Sequence, residues 1–143
     1  MREPFLLFAE DDNEDWILME DTLEKCNNCK YVRVQDGVKL LEYLQDTNND
    51  LPDILILDVK MPKMDGLEAL ELIRKDMRLK HIPTIMLTTS KLETDILKSF
   101  QNGCNSYIVK PMSFEDMQTI WEHVHEYWFK VSHIPTTANI GTI

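Results

Sequence analysis

Ile54-Leu55-Ile56-Leu57-Asp58-Val59-Lys60-Met61-Pro62-Lys63-Met64-Asp65-Gly66 is the stretch on which the fold turns. Four aliphatic residues in succession, without polar alternation, are the pattern of a strand covered on both faces, as in a parallel sheet. The run stops at a carboxylate, Asp58. Pro62 and Gly66 then mark a joint, and Leu67, Leu70, Ile73 and Met77 repeat near the helical period. A buried strand, an acidic end, a turn and an amphipathic helix are the first half of a βαβ unit.

The same unit recurs on either side. Phe5 to Ala9, Tyr31 to Gln35, Thr84 to Leu87 and Ser106 to Val109 read as further strands. Trp16, Ile17, Met19 and Leu23, and then Val38, Leu41 and Leu44, have helical spacing. Pro52, Pro83 and Pro111, with Gly37 and Gly103, fall at the joints. Five strands, each followed by a helix, imply an α/β fold, a doubly wound parallel sheet with helices on both faces. We assign one domain to residues 1–130 and expect 131–143, which has little periodicity, to be an extended or partly disordered tail.

Composition sets the outer bounds. The 143 residues carry 25 acidic against 15 basic side chains, a net charge of -10, with 43% hydrophobic residues, enough for one core without covalent staples. The acidic balance repels a phosphate backbone, which argues against direct nucleic-acid binding. No apolar run approaches the roughly 20 residues of a membrane span, and the start of the chain lacks a secretory pattern. Three cysteines, Cys26, Cys29 and Cys104, are too few for a disulfide framework. These features point to a cytoplasmic chain with no membrane partner.

In doubly wound sheets the ligand crevice lies beyond the carboxyl ends of the strands. Glu10-Asp11-Asp12 follow strand one, Asp58 follows strand three, Thr88-Thr89-Ser90 follow strand four and Lys110-Pro111 follow strand five. Several carboxylates at one crevice repel each other unless a cation sits among them. A hard divalent ion with all-oxygen ligands, Mg2+, suits them. With an ammonium from Lys110 and a hydroxyl from Thr88, such a cleft is built to receive a phosphoryl group, and Asp58 is the candidate nucleophile.

Glu10-Asp11, the run from Asp58 to Gly66, Thr88 after Pro83-Thr84-Ile85-Met86-Leu87, and Tyr107-Ile108-Val109-Lys110-Pro111 together resemble the response regulator receiver domain of two-component signalling. The likeness covers roughly residues 5 to 129. It implies a flavodoxin-like (βα)5 fold with strand order 2-1-3-4-5. It also implies that Asp58 accepts a phosphoryl group from a sensor histidine kinase, with Mg2+ as cofactor. Asp11 is then a direct metal ligand, Glu10 acts through water, and the backbone carbonyl of Lys60 is the third protein ligand. Lys110 binds the phosphoryl group, the peptide before Pro111 is cis, and Thr88 and Tyr107 form a switch pair. Such a protein catalyses only its own phosphorylation and dephosphorylation and signals by changing a contact surface. Lys60 and Ser90 flank the site at positions where receivers vary. The acidic cluster is longer than usual, which leaves open whether Asp12 or Glu14 perturbs metal binding.

Other readings of the same residues carry less. An aspartate-nucleophile phosphatase needs a second Asp where Lys60 stands, and an FMN carrier needs a phosphate cradle where Glu10-Asp11-Asp12 stand. The alternative that remains is a pseudo-receiver acting by contacts alone. Asp11 or Asp12 also suits a helix cap. Cys26 and Cys29 read as ordinary thiols, His123 and His125 as surface residues, and Arg74, Lys75, Arg78 and Lys80 as a solvated helix end. Met117, Ile120, Trp121, Val124 and Trp128 form a core stripe, while Tyr127, Phe129 and Val131 exceed it and suggest a partner surface. The Tyr127-Trp128-Phe129 segment followed by Ile134-Pro135 is similar to receivers associated with phytochrome kinases, many of which dimerise. That likeness implies a homodimer through the C-terminal helix region.

Overall fold

The computed structural model describes residues 3–25 and 29–135. Its elements follow in order: β1 (Phe5–Ala9), α1 (Asn13–Glu24), β2 (Lys30–Val34), α2 (Gly37–Gln45), β3 (Ile54–Leu57), α3 (Gly66–Lys75), β4 (Thr84–Thr88), α4 (Glu93–Gln101), β5 (Ser106–Val109) and α5 (Phe114–Glu126). A short π-helical stretch, Tyr127–Val131, continues α5. All strand pairs are parallel, in the order β2-β1-β3-β4-β5. β2 lies one residue earlier than the alternation predicts, and β4 runs one residue further, to Thr88.

The consecutive apolar runs are explained by a core on each face. Leu7, Ala9, Leu55 and Leu57 point to one side, where Leu40 and Leu44 of α2 and Leu70 and Ile73 of α3 cover them. Leu6, Phe8, Ile54 and Ile56 point to the other, under Trp16, Met19 and Leu23 of α1 and Met117 and Trp121 of α5. Each fully buried leucine stabilises the fold by about 1.5–3 kcal/mol relative to exposure. Helix starts are fixed by side chains. Asp12, Asp36, Asp65 and Ser113 accept hydrogen bonds from the backbone N–H of Asp15, Lys39, Glu68 and Asp116, at 2.9, 2.8, 2.9 and 3.1 Å. α4 differs: its N-cap, Leu92, makes no side-chain capping hydrogen bond.

Several sequence expectations change. Ile17 and Met77 are 57% and 77% exposed, Met77 because α3 ends before it. Arg74 is not part of a solvated helix end. Its guanidinium donates to the carbonyls of Gly103 and Ile82, both at 2.9 Å, and the loops before β4 and β5 enclose it. Arg78 likewise donates to the carbonyl of Leu44 at 2.7 Å. Cys29 is disulfide-bonded rather than an ordinary thiol, while Cys26 lies outside the described residues. The position of a cysteine at a helix end bears on thiolate acidity and not on whether two Cβ atoms approach within about 4 Å. His125 is half-buried between the rings of Trp121 and Phe129, whereas His123 is exposed. Tyr127 and Val131 are exposed as expected, but Phe129 packs against the α1/α5 core. Of the expected tail, 136–143 lie outside the described residues. No helix among the described residues is long and apolar enough to cross a membrane.

Candidate functional site

The chain leaves β1 for β2 on one side and later enters β3 on the other, so the strand order reverses between β1 and β3. Ala9 and Leu57 are partners in register, and the next residues on each strand are Glu10 and Asp58. The ladder continues past the strand ends. Asp58 N–H donates to the Ala9 carbonyl at 3.0 Å and Glu10 N–H to the Val34 carbonyl at 3.0 Å. Lys110 N–H donates to the Thr88 carbonyl at 2.8 Å. Three chemically active residues are thus fixed by backbone before their side chains interact.

Those side chains converge. The Lys110 ammonium lies 2.5 Å from a Glu10 carboxylate oxygen, 2.7 Å from Asp58 Oδ2 and 2.8 Å from Asp15 Oδ2. The ammonium, Glu10 and Asp58 are buried, while Asp15 is about a third exposed at 35%. Phe8, Trp16, Met19, Leu87 and Met117 line the same cavity and keep the dielectric low. Burial pushes the Glu10 carboxyl up to about 7, against the opposing pull of its bond to Lys110. For Lys110, burial favours the neutral amine, but hydrogen bonds to Asp15, Asp58 and Glu10 outweigh it and raise the ammonium above its ordinary range.

The loop after Asp58 is held closely. Lys60 N–H donates to Asp58 Oδ1 at 3.2 Å, and Gly66 N–H donates to the Val59 carbonyl at 2.9 Å. A Cβ at Gly66 would sit 2.0 Å from the Asp58 carbonyl oxygen, so only glycine fits there. Lys63 takes a left-handed backbone, φ 67°, to complete the turn. On the other side, Arg33 stacks over Trp16 and donates to the Glu10 carbonyl at 2.9 Å and to Asn13 Oδ1 at 3.0 Å, bracing the acidic loop.

Thr88 and Tyr107 are linked through Ser90. Ser90 N–H donates to Thr88 Oγ1 at 3.3 Å, and the Tyr107 hydroxyl donates to the Ser90 carbonyl at 2.9 Å. Ser90 Oγ donates to Asp95 Oδ2 at 2.6 Å, tying the loop to the first turn of α4, the helix without a cap. Thr88 is fully buried and Tyr107 half-buried. Burial raises the Tyr107 phenol above its ordinary range.

Glu10, Asp58 and Lys110 are therefore brought together as the strand-end reading expects. Asp11 is not among them: it is exposed, and among the described residues the three carboxylates whose oxygens lie within 4.8 Å of one another are Glu10, Asp15 and Asp58. Asp12 caps α1, and Glu14 is exposed. Sequence reasoning missed Asp15. The signal was its place beside Trp16, three and four residues ahead of Leu18 and Met19, on the side of α1 that overlooks the sheet. The Lys110–Pro111 peptide is trans, not cis. Trans is the form an X–Pro bond prefers by about 0.5–1 kcal/mol, and the Lys110 ammonium reaches Asp58 from it.

A hard divalent cation fits these residues. The donors are all oxygen, and three carboxylates, Glu10, Asp15 and Asp58, face one ammonium. The site binds a cation of the Mg2+ type.

Comparisons with known proteins agree with this geometry. Residues 6–122 match the model of the response regulator receiver domain. The chain is 35% identical over 141 residues to the probable methanogenesis regulatory protein FilR2 of Methanothrix harundinacea, covering 95% of this chain and 91% of that one. The phosphorylated cyanobacterial phytochrome response regulator RcpA superposes with a TM-score of 0.88 at 30% identity, covering 95% of this chain and all of the other. The Mn2+-bound form of response regulator Rcp1, from Synechocystis, gives 0.85 at 28% identity, covering 93% of this chain and 99% of that one. A buried acidic pocket at the topological switch, a lysine within contact of its central aspartate and a family match over most of the sequence lead to one conclusion: the chain belongs to the response regulator receiver family, whose members catalyse their own phosphorylation and dephosphorylation.

Proposed function

We propose that Asp58 is the phosphoacceptor of this receiver and that a sensor histidine kinase supplies the phosphoryl group. The observation that carries this reading is the 2.7 Å contact between Asp58 and a buried Lys110 at the carboxyl ends of β3 and β5. An oxygen of Asp58 attacks phosphorus while the bond from phosphorus to the histidine nitrogen breaks, and the nitrogen keeps the electron pair. Lys110 offsets charge on the equatorial oxygens, and its position is set by the Thr88 carbonyl through the backbone. Asp11, Asp58 and the Lys60 carbonyl, with Glu10 acting through water, would hold Mg2+, which would supply positive charge against the phosphoryl oxygens. Thr88 offers its hydroxyl to the new phosphoryl group and, through Ser90, alters the hold on Tyr107 and the uncapped start of α4. A charge change in the pocket then becomes a change in the surface around α4 and β5.

The phytochrome-associated subgroup is favoured by the likeness to RcpA over 95% of the chain, so we take a phytochrome kinase as the donor. The exposed Tyr127 and Val131, together with a groove lined by Ile108, Ile120, Val124 and Trp128 beside β5, support a homodimer through the C-terminal helix region. The receiver unit spans 1–130 with a tail to 143, and the chain acts in the cytoplasm. Intact-protein mass spectrometry after incubation with acetyl phosphate and Mg2+ tests the core of this reading. One phosphoryl increment should appear on the wild type and vanish in Asp58→Asn. An increment that survives the substitution rejects Asp58, and none on the wild type leaves the pseudo-receiver.

A further inference from the structure

We propose that Asp15 is a positioning residue that occupies the Lys110 ammonium in the unphosphorylated chain and is exchanged for an oxygen of the incoming phosphoryl group. The inference rests on the reading of Asp58 as acceptor.

An ammonium has three N–H donors. In this pocket Glu10, Asp58 and Asp15 lie 2.5, 2.7 and 2.8 Å from it, one carboxylate for each donor. Lys110 therefore has no donor left for a phosphoryl oxygen until a carboxylate gives way. Asp58 must stay, because it is the atom that reacts. Glu10 is 9% exposed and follows a strand whose ladder fixes its backbone, so releasing it would leave a buried carboxylate without its partner. Asp15 is 35% exposed, sits on the first turn of α1 and belongs to neither strand end. Water can replace the ammonium as its partner, so Asp15 is the group that leaves. Asp12, Glu14 and Asp11 nearby are exposed and are not in the group of carboxylates around Lys110.

The consequence is specific. Until it leaves, the Asp15 carboxylate lies 2.8 Å from the ammonium that must receive an oxygen of the phosphoryl group, and its charge repels that group. This weakens donor binding more than it slows transfer, the step in which an Asp58 oxygen bonds to phosphorus and the leaving group departs with its electron pair. A unit charge at a partly solvated position changes the affinity for a nearby anion by about threefold to tenfold.

The test is the rate of Asp58 phosphorylation against acetyl phosphate concentration at fixed Mg2+, for wild type, Asp15→Asn and Asp15→Glu. In Asp15→Asn the half-saturating acetyl phosphate concentration should fall by about threefold to tenfold, with the limiting rate changed by less than about twofold. Asp15→Glu, which keeps the charge, should return to the wild-type value. Mg2+ affinity, read from quenching of Trp16 in the same cavity, should fall by a smaller factor than the gain for acetyl phosphate. An unchanged or raised half-saturating concentration in Asp15→Asn overturns the proposal. So does a Mg2+ loss larger than the donor gain, which would make Asp15 a metal ligand. If the wild type takes no phosphoryl group on Asp58, both this inference and the reading beneath it fall. A phosphorylated wild type with an indifferent Asp15→Asn removes the inference alone.

Discussion

The two ends of the sheet each hold an enclosed cation, and they treat it in opposite ways. At the carboxyl ends of the strands, Lys110 is surrounded by three carboxylates. At the amino ends, Arg74 meets neutral oxygens: the carbonyls of Gly103, Ile82 and Lys80 at 2.9, 2.9 and 3.3 Å, and Asn105 Oδ1 at 3.3 Å. Burial lowers the Arg74 pKa, whereas carboxylate bonds raise that of Lys110. A guanidinium bonded to fixed dipoles has no alternative partner and acts as a clamp. An ammonium in a surplus of negative charge can trade one partner for another, and the surplus can bind a metal. The difference separates architecture from chemistry within one small sheet.

Replacing each cation with a side chain of similar length tests that contrast, and Lys110 should show the larger effect. Lys110→Met leaves buried Glu10 and Asp58 without their counter-charge, which costs about 3–5 kcal/mol when one partner of a buried pair is removed. The loss should depend on pH. Glu10 is raised from 4.5 to about 7 in the folded chain, so the folded state binds its proton more tightly than the unfolded state does. The stability this gives is complete below the unfolded value and is lost as pH rises through the folded one. In Lys110→Met that folded value rises further. Urea unfolding of the metal-free variant should therefore show a greater deficit near about pH 8 than near about pH 5.5. Mg2+ should recover part of the deficit at the higher pH. A deficit equal at both pH values would show that the carboxylates do not depend on Lys110 for compensation.

Arg74→Met should cost less, about 2 kcal/mol, since water can reach some of the carbonyls it leaves. Mg2+ should not restore it, and the loss should be flat between about pH 7 and pH 8, below the range of the neighbouring Cys104 thiol, which burial raises above its ordinary value. The same unfolding series decides this. Recovery by Mg2+ would mean that the two ends are coupled, contrary to the view of Arg74 as a local clamp.

The two ends were unequally legible in the sequence. Ile54 to Leu57 running into Asp58 announces a strand buried on both faces with a charge at its end, and Glu10 and Lys110 follow the same rule. Period and position alone place all three at one crevice. Asp15 needed a further step, because a strand-end pattern says nothing about which side of the next helix faces the pocket. Only the inward Trp16 and Met19 beside it indicate that side. Arg74 was harder still. Its partners are mostly backbone carbonyls, which every residue has, so no side-chain pattern can reveal them, and a basic helix end reads as solvated. Likewise, the Ser90 link between Thr88 and Tyr107 runs largely through main-chain atoms.

The smallest expected effect lies at the amino ends and has the opposite pH sign. His81, in the loop that Arg74 clamps, has its pKa lowered by burial and then by the nearby guanidinium. The unfolded chain therefore binds this proton more readily than the folded one. The associated stability is complete above the ordinary histidine value of 6.5 and is lost as pH falls toward the lower folded value. Removing the titrating group in His81→Gln should make stability fall less steeply on the acid side of about pH 6.5 while leaving it unchanged near about pH 8. Arg74→Met, by removing one of the two causes, should flatten the same acid slope partway. Urea midpoints measured across that range would sharpen the contrast: Glu10 makes the carboxyl ends favour low pH, His81 makes the amino ends favour high pH, and a His81→Gln slope identical to wild type would confine pH sensitivity to the phosphoryl pocket.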